Sequence, residues 1–141
     1  MKVCVINGPN MGQLKQREAI YGNHSLAEIQ KQTEEALGDL VRIQWWQTDH
    51  EAEMVQMIHS LRASDFDLLV INPAALSHSS LAIYDALSSC SLKVVEVHLT
   101  CPRGRSHKRE NLLTAGAADV VLEGLGIKSY YYAIHCQLQR T

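Results

Sequence analysis

Met1-Lys2-Val3-Cys4-Val5-Ile6-Asn7-Gly8-Pro9-Asn10 opens the chain and decides its fold. Val3 to Ile6 is apolar and rich in β-branched residues, long enough for one strand buried on both faces. The next four residues all favour a turn. Gly8 permits a positive φ, Pro9 fixes φ, and Asn7 and Asn10 bring amide donors and acceptors. A polar segment, Gly12 to Gly22, follows without helical or strand periodicity, and Arg17 and Tyr21 stand four positions apart in it. Loops of this length inside a domain are usually functional or disordered. This one leaves the end of a first strand, where open α/β sheets bind ligands.

Working outward, Ser25-Leu26-Ala27-Glu28 reads as a capping box. Leu26, Ile29, Thr33, Ala36, Leu37 and Leu40 follow at helical spacing, with Gly38 as the stop. Val41 to Gln47 is rich in strand formers, and Thr48-Asp49-His50-Glu51 is a second capping signal. Met54, Val55, Ile58 and Leu61 predict a helix ending near Ala63. Leu68 to Ile71 is the next buried strand, stopped at Asn72-Pro73. A helix is expected from Ser79 or Ser80 to Ser89, with Leu81, Ala82, Ala86 and Leu87 inward. Lys93 to Leu99 and Asp119 to Leu122 are two more strands, and Ile127 to Leu138 is a closing helix.

Strand and helix thus alternate about five times, which predicts an α/β fold with helices on both faces of a parallel sheet. Right-handed crossovers and the strand count predict a flavodoxin-like, three-layer arrangement of five strands in the order 2-1-3-4-5. Strands 1 and 3 then meet at the switch point. Three polar clusters converge on one rim, Asn7 to Asn10, Asn72 to His78 and His98 to Thr100.

At 141 residues the chain is expected to be one domain, 1–141, with a core of its own. Its net charge of −2 gives no electrostatic case for nucleic acid or an anionic membrane. No apolar run approaches the roughly 18 residues of a membrane span. The N-terminus runs straight into a strand, so no signal peptide is expected. Cys4, Cys90, Cys101 and Cys136 form no CxxC pair, which suits a reducing compartment and a cytoplasmic protein.

Glu96-Val97-His98 is the sharpest local chemistry. Residues two apart on a strand share a face, and a carboxylate beside an imidazole orients the ring as a general acid. Taken alone, the spacing fits a surface ion pair at a strand end better. In the polar loop, a guanidinium at Arg17 can stabilise a phenolate at Tyr21 and make it a base. The alternative is a solvated Arg and a Tyr that anchors the loop. Arg103, Arg105, Lys108 and Arg109 suit a small anion such as a carboxylate, with backbone N–H groups of Leu99 and Thr100 beside them. A solvated basic loop is the competing reading. Asn72 and His78 can bind hydroxyls, although a lone His after a strand is more often a cap or packing residue, and Asp85 falls in a helix as an ordinary exposed acid. His98, Cys101 and His107 match no standard zinc spacing, so no metal is expected. Gly124-Leu125-Gly126 reads as a turn and helix start, not a nucleotide site.

Taken together, these pieces resemble the type II 3-dehydroquinate dehydratases. The likeness runs in register through Ile6-Asn7-Gly8-Pro9-Asn10, Arg17-Glu18 with Tyr21-Gly22, Gln47-Thr48-Asp49-His50-Glu51 and Val70-Ile71-Asn72-Pro73. It continues through His78-Ser79-Ser80, Asp85-Ala86, Glu96-Val97-His98-Leu99 and Gly124-Leu125-Gly126. The resemblance implies anti elimination of water from 3-dehydroquinate, through an enolate and without cofactor, in aromatic biosynthesis or quinate breakdown. It implies a homododecamer built as four trimers. By position it makes Tyr21 the base, Arg17 the cation that lowers its pKa, and Asn10 the holder of a water on the enolate. His98, supported by Glu96, protonates the departing hydroxyl. Asn72, His78 and Arg109 bind substrate, the backbone at Leu99 and Thr100 grips its carboxylate, Arg105 helps close the lid, and Asp85 reaches a neighbouring subunit's site.

Four features depart from the family's usual pattern. The Arg17-to-Gly22 segment lacks a proline and is one residue shorter, Thr100-Cys101 stands where Ser-Asn is usual, the loop from Pro102 to Asn111 lacks the family's Arg-Glu pattern, and Ala74-Ala75 replaces a glycine-containing turn. The competing readings are a non-catalytic relative that binds a shikimate-like hydroxy acid, and an unrelated nucleotide or response module. The latter lacks a phosphate loop and an acidic cluster after strand 1.

Overall fold

The computed structural model describes residues 1–139. Five strands, β1 (Lys2–Asn7), β2 (Arg42–Gln47), β3 (Leu68–Asn72), β4 (Lys93–His98) and β5 (Val120–Glu123), pair in parallel in the order 2-1-3-4-5. The expected sheet is therefore the observed one. Alternation along the strands divides the core into two layers. Val3, Val5, Leu68, Val70, Val95 and Val97 pack with Leu26, Ile29, Tyr130 and Ile134 on one face. Cys4, Ile6, Leu69, Ile71 and Val94 pack with Met54, Ile58, Ile83 and Leu87 on the other.

The helices are α1 (Glu18–Tyr21), α2 (Leu26–Leu37), α3 (Glu51–Ser60), α4 (Leu81–Ser88) and α5 (Ser129–Leu138). The capping box of α2 is complete: Ser25 Oγ accepts from Glu28 N, and Glu28 Oε2 accepts from Ser25 N. Several expectations need correction. The second capping signal is displaced: His50 is the N-cap without a side-chain cap bond, and Thr48 Oγ1 instead accepts from His50 N while donating to Glu53. α3 stops at Ser60 rather than Ala63. Ala36 and Leu40 are exposed, because Gly38 at φ 57 ends α2 and turns the chain. On α4, Leu81 and Ala82 face outward and the buried stripe is Ile83, Ala86 and Leu87.

The segment after β1 is no featureless loop. Met11–Arg17 forms 3-10 turns that run into α1. Such i→i+3 turns are short and leave no 3.6-residue stripe to detect. Gly8 is needed for close approach, not for a positive φ: a Cβ there would lie 2.5 Å from Pro73 O. The left-handed residue of that turn is Asn10, at φ 67.

Candidate active site

The C-terminal ends of β1, β3 and β4 open into a cavity of about 260 Å³. Asn10 enters from the β1 turn, and Arg17 and Tyr21 come from the segment that follows. Asn72 and His78 come from β3 and the turns beyond it. His98, Leu99 and Thr100 end β4, and Arg105 and Arg109 hang over from the next segment. The three clusters expected at one rim therefore share one space. Met11, Leu14, Ala74, Ala75 and Pro102 supply apolar walls that no local pattern singled out.

The imidazole side is built into the core. His98 is 4 % exposed, and its Nε2 lies 2.7 Å from Oε1 of Glu96, which is fully buried. A carboxylate without its proton only accepts, so Nε2 donates to it. Nδ1 is then left for the cavity. Glu96 itself stands behind the ring rather than in the cavity lining. Thr114 donates to the other Glu96 oxygen at 2.8 Å.

The phenol side is built from loops. Arg105 Nη1 donates to Tyr21 Oη at 2.9 Å. Arg17 stands over the Tyr21 ring with its guanidinium carbon 5.1 Å from the centroid, and Arg105 lies 5.5 Å from the same centroid. The cation on the phenol oxygen is thus Arg105, while Arg17 touches the ring face. Arg109 completes a group of three guanidiniums. Burial first, then the neighbouring Arg105 cation, pushes its guanidinium below the ordinary value. Arg103 does not join them: it pairs with Glu123 at 2.7 Å outside the cavity. A cavity ringed by three cations favours an anion.

The floor is a buried amide network. Asn72 Nδ2 donates to Tyr130 Oη at 3.2 Å, and Tyr130 donates to Asn7 Oδ1. Asn72 Oδ1 accepts from Ala74 N at 3.1 Å, and Ala74 takes φ 54, which a glycine adopts with less strain. Burial pushes the Tyr130 hydroxyl pKa up strongly, so this phenol stays protonated. His78 Nδ1 lies 2.8 Å from Asn111 O. A carbonyl only accepts, so Nδ1 donates to it and Nε2 is left for a ligand. Asn10 is held in its left-handed turn by its N–H, which donates to Asp49 Oδ1 at 2.9 Å.

Asp85 lies on the exposed side of α4, outside this cavity. His98, Cys101 and His107 do not converge, since His107 pairs with Glu110 and Cys101 is exposed. Among the described residues no group of three or more His, Cys, Asp or Glu could hold a metal ion, and no helix is long and apolar enough to cross a membrane. Reasoning from sequence alone missed Thr114 and Tyr130, and it read Asp49 only as part of a capping signal and a family stretch. Their bonds join distant segments, which no local pattern reveals.

Comparison with known proteins agrees with this geometry. A 3-dehydroquinate dehydratase of Endomicrobium trichonymphae is 40% identical over 135 residues, covering 94% of each chain. One of Thermotoga petrophila is 40% identical over 136 residues, covering 95% of this chain and 92% of its own. The crystal structure of a type II dehydroquinase from Butyrivibrio crossotus superposes with a TM-score of 0.92 at 34% identity, covering 96% of both chains. The sequence model described as Dehydroquinase class II matches residues 1–138. A parallel 2-1-3-4-5 sheet, a phenol and an imidazole at one mouth, and a match along nearly the whole length have one reading: the chain belongs to the class II dehydroquinase family.

Proposed function

We propose that this chain, as one domain over 1–141, is a 3-dehydroquinate dehydratase that eliminates water from 3-dehydroquinate to give 3-dehydroshikimate. The observation that carries the proposal is the pairing of Tyr21 and His98 across one cavity ringed by Arg17, Arg105 and Arg109. The Tyr21 phenolate takes the proton next to the ketone, and the electron pair moves into an enolate. A water held by Asn10 stabilises the enolate oxygen. The enolate then expels the hydroxyl, and His98 supplies the proton that makes it water. Tyr21 returns its proton to solvent and His98 regains one.

Arg105 stabilises the phenolate through the bond to Tyr21 Oη, and Arg17 adds a second cation over the ring. Glu96 fixes the His98 ring. Arg109 and the backbone at Leu99 and Thr100 hold the substrate carboxylate, while Asn72 and Nε2 of His78 take its hydroxyls. Arg17 and Arg105 close over the bound ring and keep water from the phenolate. In the proposed homododecamer of four trimers, Asp85 reaches from the exposed side of α4 to a neighbouring subunit's site.

Purified protein given 3-dehydroquinate should produce a conjugated enone, followed by its near-ultraviolet absorbance across pH. Saturable binding of a shikimate-like hydroxy acid with no enone formed at any pH would defeat the proposal.

A further inference from the structure

The Glu96 carboxylate has two oxygens, and the acid arm described above uses one. Oε1 meets His98 Nε2 at 2.7 Å, and Oε2 accepts from Thr114 Oγ1 at 2.8 Å. Thr114 and Glu96 are both fully buried. Thr114 arrives 18 residues later in the chain, on a 3-10 turn, Thr114–Ala117, packed against α4. We propose that Thr114 is a positioning residue for the general acid: its hydroxyl locks the Glu96 carboxylate so that the other oxygen holds His98 in the proton-donating orientation. This deepens the dehydratase reading and rests on it.

The physical argument concerns a buried anion. The terminal torsion of a Glu side chain is broad, so one donor alone does not fix the plane of its carboxylate. Two donors on two oxygens do. Thr114 has one hydroxyl proton, and it is committed to Oε2. Without that bond a fully buried carboxylate oxygen is left unsatisfied. The carboxylate plane is then free to turn, and the ring loses the fixed partner that aims its Nδ1 at a departing hydroxyl. No other described residue is bonded to either carboxylate oxygen.

The test uses the full chain with Thr114→Val, which keeps the shape and removes the hydroxyl, and Thr114→Ser, which keeps the hydroxyl. The reaction is run with 3-dehydroquinate in deuterium oxide, and recovered substrate is analysed by mass spectrometry. With the acid arm weakened, the enolate is reprotonated by Tyr21 more often than it loses hydroxide. Thr114→Val should lower kcat by roughly 5- to 100-fold with KM unchanged. It should raise deuterium incorporation into unreacted substrate relative to product formed, and Thr114→Ser should restore both. If Thr114→Val does not fold, Thr114→Ala carries the same readouts.

A folded variant with a lowered Tm but wild-type kcat and exchange ratio makes Thr114 a packing residue and overturns the proposal. A folded Thr114→Ser that behaves like Thr114→Val does the same. A second readout needs no turnover: the hydrogen-bonded Nε2 proton of His98, assigned by its loss in His98→Asn, gives a far-downfield NMR signal. It should persist in Thr114→Ser and shift or vanish in Thr114→Val. Wild-type protein inert on 3-dehydroquinate defeats the dehydratase reading, and the NMR signal alone then decides the coupling of Thr114 to His98.

Discussion

His98 and Tyr21 face one cavity from opposite kinds of structure. His98 is 4 % exposed at the end of a central strand, with a buried carboxylate two residues behind it and a buried hydroxyl behind that. Tyr21 is half-buried at the end of a four-residue helix, and its oxygen is bonded to Arg105, 84 residues away on another loop. The imidazole is therefore set when the core forms. The phenol is set only when two surface segments come together. An arrangement of this kind suits substrate entry past the loop-built half while the core-built half keeps the geometry.

The sharpest way to break this comparison is to remove the reacting phenol. Tyr21→Phe should lower kcat by about 10³-fold or more with Tm and circular dichroism unchanged, because the phenol supports no buried network. Retained turnover would move the base elsewhere. Next is the rigid side. Glu96→Gln should cost about 10²-fold in kcat and also lower Tm, since a fully buried, doubly bonded group is altered. That joint loss is what distinguishes the core-built arm from the loop-built one. Arg105→Ala should cost roughly 10- to 100-fold in kcat, as expected for one charge-assisted hydrogen bond, with Tm nearly unchanged. A large drop in Tm would mean that the loop side is structural after all.

The smallest effect concerns the helix that follows the phenol segment. Glu28 is held below the ordinary carboxylate pKa, first by the Ser25 backbone N–H and then by Lys15. A carboxyl lowered by folding stabilises above its unfolded pKa, and that contribution is lost as pH falls through the folded value. Glu28→Gln should therefore melt slightly below wild type at neutral pH and together with it in acid. A difference that persists in acid would point away from the capping carboxylate.

The same contrast explains what could be read from the sequence. Val3 to Ile6 and Leu68 to Ile71 are apolar on both faces, and the parallel order follows from them. Glu96 and His98 share a face because strand geometry leaves no choice. Reading failed where position is decided by distant partners. On α4, Ala86 and Leu87 lie inward as their spacing predicts, but Leu81 and Ala82 look like core residues and lie outside, with Ile83 buried in their place. The 3-10 turns of Met11–Arg17 have no apolar stripe, and Arg105 gave no sign that it would bond to Tyr21. The Ala74 position shows a milder case. The sequence shows a departure from a glycine-containing turn, but only the backbone shows that the alanine stands at a left-handed φ of 54.

Tyr130 belongs to the most C-terminal helix described, and it reaches back 123 residues to Asn7. During synthesis the short helix that ends in Tyr21 and the strand that ends in His98 leave the ribosome first. Until α5 docks, the amides of Asn7 and Asn72 lack the hydroxyl that joins them. A nascent or truncated polypeptide without that helix still carries the phenol and the imidazole in its sequence but lacks the floor beneath them and part of one core layer, so proteolytic clipping ahead of Tyr130 should silence it.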